Sequence, residues 1–171
     1  FANFPGAAGR RALAEGLEGL SIVKPPYGVL SAIDFKNPDQ LLFQVPHGDT
    51  PDAVRNHPML KGMNIGKTGQ SGSVGVLITK TFVAAGDPQF TNIPEKGGRG
   101  ASLRAYDKKT GAQIGEVRLP APIVGHPMTY MLNGRQYIVV GVSGGNYTGE
   151  YISLALPQSE IRSTTTVAGQ Q

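Results

Sequence analysis

From Gly28 onward, apolar and polar positions alternate with a period of two, in short runs separated by turn residues, which is the pattern of half-buried strands. G-V-L-S-A-I-D (28–34) is apolar and β-prone, and L-L-F-Q-V (41–45) follows it across Asn37-Pro38-Asp39, which has turn chemistry. V-G-V-L-I-T (74–79) and T-F-V-A-A (81–85) are separated only by Lys80 and predict a tight hairpin. A-S-L-R-A-Y-D (101–107) is answered by Q-I-G-E-V-R-L (113–119) across a K-K-T-G turn. P-M-T-Y-M-L (127–132) and R-Q-Y-I-V-V-G-V (135–142) are joined by Asn133-Gly134, a dipeptide suited to a type I′ turn because both central residues need positive φ. E-Y-I-S-L-A-L (150–156) is the last run, so the pattern predicts about nine strands.

Three stretches lack this period. Residues 1–21 carry a weak helical spacing (Leu13, Leu17, Leu20) diluted by Gly16 and Gly19, and read as an extended lead-in with one or two helical turns. Pro25-Pro26 enforces an extended entry to the strands. Residues 46–73 form a long loop in which Thr50 is positioned to cap a short helix, with Pro51 in its first turn and Pro58 beyond its end. A second loop, 86–100, closes on Gly97-Gly98-Arg99-Gly100, and loops of this length in compact domains carry function or mobility. Residues 158–171 are polar and read as a flexible tail.

Composition sharpens the all-β reading. The 171 residues include 24 Gly and 13 Pro, which punctuate many short elements, and only 16% are charged. The hydrophobic share, 39%, is too high for a wholly disordered chain. A formal net charge of +4 is spread along the chain without a basic run, which argues against nucleic acid as a partner. The absence of Cys removes disulfides and thiolate metal sites. No stretch approaches about 18 consecutive apolar residues, so no transmembrane helix is predicted. Phe1 opens the sequence without Met or a signal peptide, as a processed or truncated end would.

A-I-D at 32–34 returns as A-Y-D at 105–107, each at the end of an apolar strand and ahead of a turn and a second strand ending near Pro (Pro46, Pro120). Recurrence of one supersecondary unit is the mark of a propeller or array. Allowing for the 46–73 insertion, the bare unit is about 40–45 residues, the size of a four-stranded blade. Nine strands make about two to two-and-a-half such blades, whereas propellers need about four to eight to close. The arithmetic leaves unpaired strand edges that require a partner. A small sandwich or barrel is the alternative arrangement of the same strands.

A-Y-D-K-K-T-G (105–111) followed by a strand resembles the repeat of quinoprotein propellers, A-x-D-x-x-T-G-x-x-x-W. K-P-P-Y-G-V-L-S-A-I-D (24–34), Q-V-P-H-G-D-T-P-D (44–52) and the specific run L-P-A-P-I-V-G-H-P-M-T-Y-M-L-N-G-R-Q-Y-I-V-V (119–140) extend the resemblance over residues 22–157. Together they are similar to the C-terminal portion of pyrroloquinoline-quinone (PQQ)-dependent dehydrogenases, the glucose dehydrogenase-like branch most of all. The resemblance implies an eight-bladed, all-β propeller with PQQ and calcium on its axis, and oxidation of an alcohol or sugar hydroxyl in the periplasm. A family Asp takes the hydroxyl proton, hydride passes to the quinone, and electrons leave to a cytochrome or a membrane quinone. The remaining blades, from the same precursor or another chain, are the implied partners.

Two departures stand out. The Trp that ends each family repeat and docks blade to blade is absent, with Phe43 and Gly115 near those positions. V-S-G-G-N-Y (142–147) resembles a cofactor-contacting turn of alcohol dehydrogenases in this class, with Asn146 where a Trp follows the two glycines. Gly144, Gly145 and Asn146 are thereby candidate cofactor contacts, with Lys24 a further candidate on the same face. The family's catalytic Asp and main calcium ligands lie in earlier blades, so no catalytic or metal-ligating residue is assigned here, and the chain is not expected to be active alone. A non-catalytic assembly module is the second reading.

The other reactive side chains receive plainer readings. G-M-N-I-G-K-T (62–68) has one residue too few for a phosphate loop, and Gly69 and Gly72 oppose the helix such a loop requires. His47 and His57 fit no metal-pair spacing. If the 46–73 loop lines the substrate mouth, Asp49, Arg55 and His57 are its polar contacts. Asp34 and Asp107 occupy the same place in both repeats and read as turn caps. His126, at a Gly-His-Pro turn, reads as structural, and Glu95, Glu116 and Glu150 show no paired carboxylate.

Overall fold

The computed structural model describes residues 20, 21 and 23–157. The lead-in over 1–19 and the tail over 158–171 lie outside the described residues. The rest is built from ten strands in three antiparallel sheets.

The first sheet pairs β1 (Val29–Asp34) with β2 (Asn37–Pro46). The Asp34 carboxylate caps the turn by accepting from Lys36 N–H at 2.9 Å, so the chain reverses at Phe35-Lys36. Asn37-Pro38-Asp39, expected to be the turn, therefore falls inside β2. Register shifts between Ala32 and Asp34 absorb the extra residues, and a Pro is accommodated where the ladder is irregular.

The second sheet contains a four-stranded meander in the order β3 (Val76–Ile78), β4 (Phe82–Gly86), β6 (Gly98–Asp107) and β7 (Gln113–Leu119). The expected 86–100 loop carries a strand of its own, β5 (Thr91–Ile93), which hairpins back onto the first residues of β6. Asp107 caps the β6–β7 turn, its Oδ1 accepting from the backbone N–H groups of Lys109 and Thr110 and from Thr110 Oγ1. Both repeat aspartates thus do the turn work expected of them.

The third sheet runs β8 (Ile123–Leu132), β9 (Arg135–Gly144), β10 (Tyr147–Ala155). Asn133 (φ 49) and Gly134 (φ 74) form the expected left-handed turn. β8 starts earlier than its apolar run: Gly125, at φ 80, opens a bulge between Val124 and Met128 that carries the Gly-His-Pro segment within the strand.

Two, five and three strands in separate sheets, the five being a four-stranded meander plus β5, are the partial blades of a propeller, and among the described residues they do not close into a barrel. The only α-helical turn described is α1 (Asp52–Arg55), with Pro51 at its cap and no side-chain cap. Thr50, expected to cap it, instead donates to Gly66 O and accepts from Thr68 N–H, tying the 46–73 loop to itself. The core lies between the second and third sheets: Ala84, Leu103 and Leu119 of the second cluster with Ala121, Ile123, Val140 and Val142. Gly86 allows this approach, since a Cβ there would collide with Ile123.

Candidate functional site

A cleft of about 430 Å³ opens where four segments of the chain meet. Ser73 ends the 46–73 loop, Pro88–Phe90 follow β4, Pro122–Gly125 enter β8, and Ser143–Gly145 end β9. The walls are the rings of Pro88, Phe90 and Pro122, and the glycine turn forms one side. Gly144 (φ 139) and Gly145 (φ 56) are held in backbone conformations that disfavour other residues. A Cβ at Gly144 would stand 3.4 Å from Phe90, and one at Gly145 3.1 Å from Arg99 Nη2 and 3.4 Å from Phe90. The glycines therefore keep open a slot that side chains would narrow. The rings and the bare glycine backbone leave a slot wide enough for a flat group, with the Arg99 guanidinium beside Gly145. Gln89, which also lines the cleft, ties it to the first loop, its Nε2 donating to Ser71 O at 2.6 Å and to Ser71 Oγ at 3.1 Å.

Beside the cleft, Asp87 begins a buried ionic network that the sequence did not reveal. Arg104 is 1% exposed and Asp87 0%. Arg104 Nε donates to Asp87 Oδ1 at 2.6 Å and Nη2 to Asp87 Oδ2 at 2.8 Å, a two-pronged pair. The same guanidinium reaches Asp49 Oδ2 at 2.7 Å and Glu116 Oε2 at 3.0 Å. Lys96 Nζ closes the ring, bonding Glu116 Oε1 at 2.7 Å and Asp49 at 3.3 Å. Asp49 belongs to the first long loop and Lys96 to the second, so the network fastens both loops to β6 and β7.

These contacts shift proton affinities. Burial opposes the charge on Arg104, but its hydrogen bond to Asp87 and the charges of Asp87, Asp49 and Glu116 outweigh burial and raise its pKa. Burial likewise works against Glu116, yet hydrogen bonds from Lys96 and Ser102 and the charge of Arg104 hold it down at about 2. Lys67, nearby, is lowered by burial and then by Arg104. Three cations (Arg104, Lys96, Lys67) balance three carboxylates (Asp49, Asp87, Glu116), an arrangement that holds structure rather than frees a base.

His47 is buried beside this network. Its Nε2 donates to Gly86 O at 2.8 Å, so its Nδ1, 2.9 Å from Tyr106 Oη, accepts the tyrosine proton. Burial is the main cause of the lowered His47 pKa and pushes Tyr106 up to about 12.

The structure separates the sequence-derived candidates. Gly144 and Gly145 line the cleft and Asn146 follows them in the β9–β10 turn. Lys24 is exposed and is not among the cleft's lining residues. Asp49 faces Arg104 and Lys96. Arg55 donates to Thr50 O at 2.6 Å and to Asn92 O at 3.3 Å and pairs with Asp52. His57 is buried and its Nδ1 accepts from Met59 N–H. These last three side chains hold the loop in shape. Among the described residues no group of three or more His, Cys, Asp or Glu is arranged to hold a metal ion.

Phe43 and Gly115, the two departures from the repeat, differ in outcome. The Phe43 ring lies on Gly111 of the next blade, where a Cβ would strike it. Gly115 instead borders an apolar recess of about 440 Å³ between the second and third sheets, lined by Leu77, Phe82, Leu103, Val117, Ile138 and Leu154 among others.

Consecutive antiparallel sheets of this kind are propeller blades, and this chain belongs to the PQQ-dependent dehydrogenase family. The family profile for the glucose/ethanol/alcohol dehydrogenase β-propeller domain matches residues 4–138. The chain is 29% identical over 147 residues to quinoprotein glucose dehydrogenase A of Acinetobacter calcoaceticus, covering 83% of this chain and 17% of that protein. It is 32% identical over 133 residues to the glycerol dehydrogenase large subunit of Gluconobacter oxydans (strain 621H), covering 75% and 16%. It is 30% identical over 151 residues to a probable quinate dehydrogenase (quinone) of Xanthomonas campestris pv. juglandis, covering 82% and 17%. The chain thus spans about a sixth of the length of these relatives. No solved structure matches it.

Proposed function

We propose that this chain is the C-terminal part of a PQQ-dependent dehydrogenase that oxidises an alcohol or sugar hydroxyl. It supplies closing blades and one side of the cofactor site. The observation that carries this reading is the slot along Gly144-Gly145, walled by Phe90 and Pro122. When bound there, PQQ supplies the hydride-accepting centre. The chain's own residues seat a flat ring, exclude water with the Phe90 and proline rings, and fix the slot's width through the Arg104 network. The 46–73 segment, held by Asp49, Arg55 and His57, shapes the neighbouring wall as the substrate mouth. Calcium and the proton-accepting Asp belong to other blades, electrons pass to a cytochrome or quinone, and the periplasm is the site of action.

The test is calorimetric titration of PQQ, with calcium, into the apoprotein containing all its blades. Micromolar or tighter binding that Gly145→Val abolishes is expected; tight binding indifferent to that change would remove the slot from the cofactor site. The 171-residue chain alone, given quinone, calcium and a dye acceptor, is expected to show no turnover.

The second reading, a non-catalytic assembly module, draws on β10, which has β9 on one side and no partner on the other among the described residues. Absence of PQQ binding by the completed ring favours it.

A further inference from the structure

We propose that Arg99 is a carboxylate-binding residue at the lip of the cleft, gripping an acidic group of whatever planar ligand lies along Gly144-Gly145. The inference rests on the reading of the cleft as the ligand site and adds to it a residue and a ligand chemistry.

Three observations converge on Arg99. Its guanidinium carbon lies 3.4 Å from the centroid of the Phe90 ring, a close cation–π stack. Phe90 is itself a wall of the cleft. Nη2 also stands 3.1 Å from where a Cβ of Gly145 would be, so guanidinium, phenyl ring and glycine turn are immediate neighbours.

Each of the other described arginines has guanidinium N–H groups donated to acceptors of the protein. Arg55 and Arg104 hold carboxylates, Arg118 donates to the carbonyls of Thr91 and Gly98, and Arg135 donates to Leu156 O. The Arg99 guanidinium makes no hydrogen bond or ion pair with the described residues, and its position is exposed. Stacking on Phe90 fixes the plane of the fork while leaving its donor edges free. That is the pre-organised state in which Arg takes a carboxylate through two parallel N–H bonds. The position exists because the insertion after β4 forms its own hairpin: β5 pairs Asn92 with Arg99 and turns the side chain back beside Phe90. The carboxylate has two possible sources, the cofactor's own acid groups or an acid group on the alcohol being oxidised.

The test compares Arg99→Gln and Arg99→Lys with the unaltered protein, all blades present. Three readouts are taken: PQQ affinity by calorimetry, kcat/KM for a hydroxy acid against its neutral alcohol analogue, and binding of 2-naphthoate against uncharged 2-naphthylmethanol. Arg99→Gln is expected to weaken 2-naphthoate at least tenfold and the neutral analogue less than twofold, with Arg99→Lys recovering only part. A tenfold loss of PQQ affinity then assigns the cofactor as source. A loss confined to the hydroxy-acid preference assigns the substrate. If PQQ does not bind the unaltered protein but 2-naphthoate still depends on Arg99, the inference stands while the dehydrogenase reading falls. It is overturned if Arg99→Gln, folded by its unchanged melting temperature, leaves all three readouts within twofold.

Discussion

Arg104 and Asp87 meet in a two-pronged ion pair, 2.6 and 2.8 Å, with both side chains sealed from water. Asp87 directly precedes the Pro88–Phe90 wall of the cleft, so this pair transmits the rigidity of β6 to the site. Removing one partner strands the other's charge in the interior. Arg104→Gln is therefore expected to destabilise the protein by about 3–5 kcal/mol. Asp87→Asn combined with Arg104→Gln should cost less than the two single changes added together. Urea denaturation of the four forms measures this, and strict additivity would show that the pair is not coupled.

His47 makes stability depend on pH. Its folded pKa lies below the ordinary 6.5, so the unfolded chain binds the proton more readily. Its neutral form supports the fold fully above about pH 6.5, and stability declines as pH falls through that value toward the lower folded pKa. Glu116 adds a second window: its pKa drops from 4.5 to about 2, so its contribution is lost between those values as acid is added. Denaturation series from pH 7.5 to 5 are expected to show a loss that His47→Asn flattens. An unchanged slope in that variant would place the titration elsewhere.

Phe43 lies on Gly111 and takes the place of a docking ring between the first and second blades. Gly111 has φ 72, so a substitution there meets both backbone strain and the ring. Gly111→Ala is expected to destabilise by about 1–3 kcal/mol, and Phe43→Ala by a similar amount because the ring is half-buried. In the double variant the losses should fall short of additive, which thermal unfolding can resolve.

Gly115 is the opposite case. It sits in β7 with an ordinary φ, and a Cβ there would meet only Ala105 Cβ, at 3.7 Å. Gly115→Val adds strand propensity and places methyl groups at the recess between the second and third sheets. A gain of about 0.5–2 kcal/mol is expected, read as a higher melting temperature. A fall in melting temperature would show that the recess is needed open or is filled in the complete ring.

Strand existence was legible because a period-two pattern and local turn chemistry act over a few residues. Asn133-Gly134 and the Asp34 and Asp107 caps formed as their residues require. β5 was missed because Thr91–Ile93 is too short to show a period and is a strand only through its partner in β6. The two glycines of the cleft could be nominated from the resemblance of V-S-G-G-N-Y to a known turn. Their neighbours at Ser73, Pro88–Phe90 and Pro122 could not, because separate blades bring them together.

The sequence by itself determined nine of the ten strands and the blade repeat, since both depend on near neighbours. It also carried one trace of the ionic network: Ser102, Arg104 and Tyr106 alternate along β6 with Ala101, Leu103 and Ala105. Only the tertiary structure decided that this polar face is buried rather than wet. The register sets Glu116 opposite Arg104, and two distant loops deliver Asp49 and Lys96 to the same guanidinium. A buried charge must be matched by charges fixed at a few ångströms, and which residues supply them depends on chain crossings that no local pattern encodes.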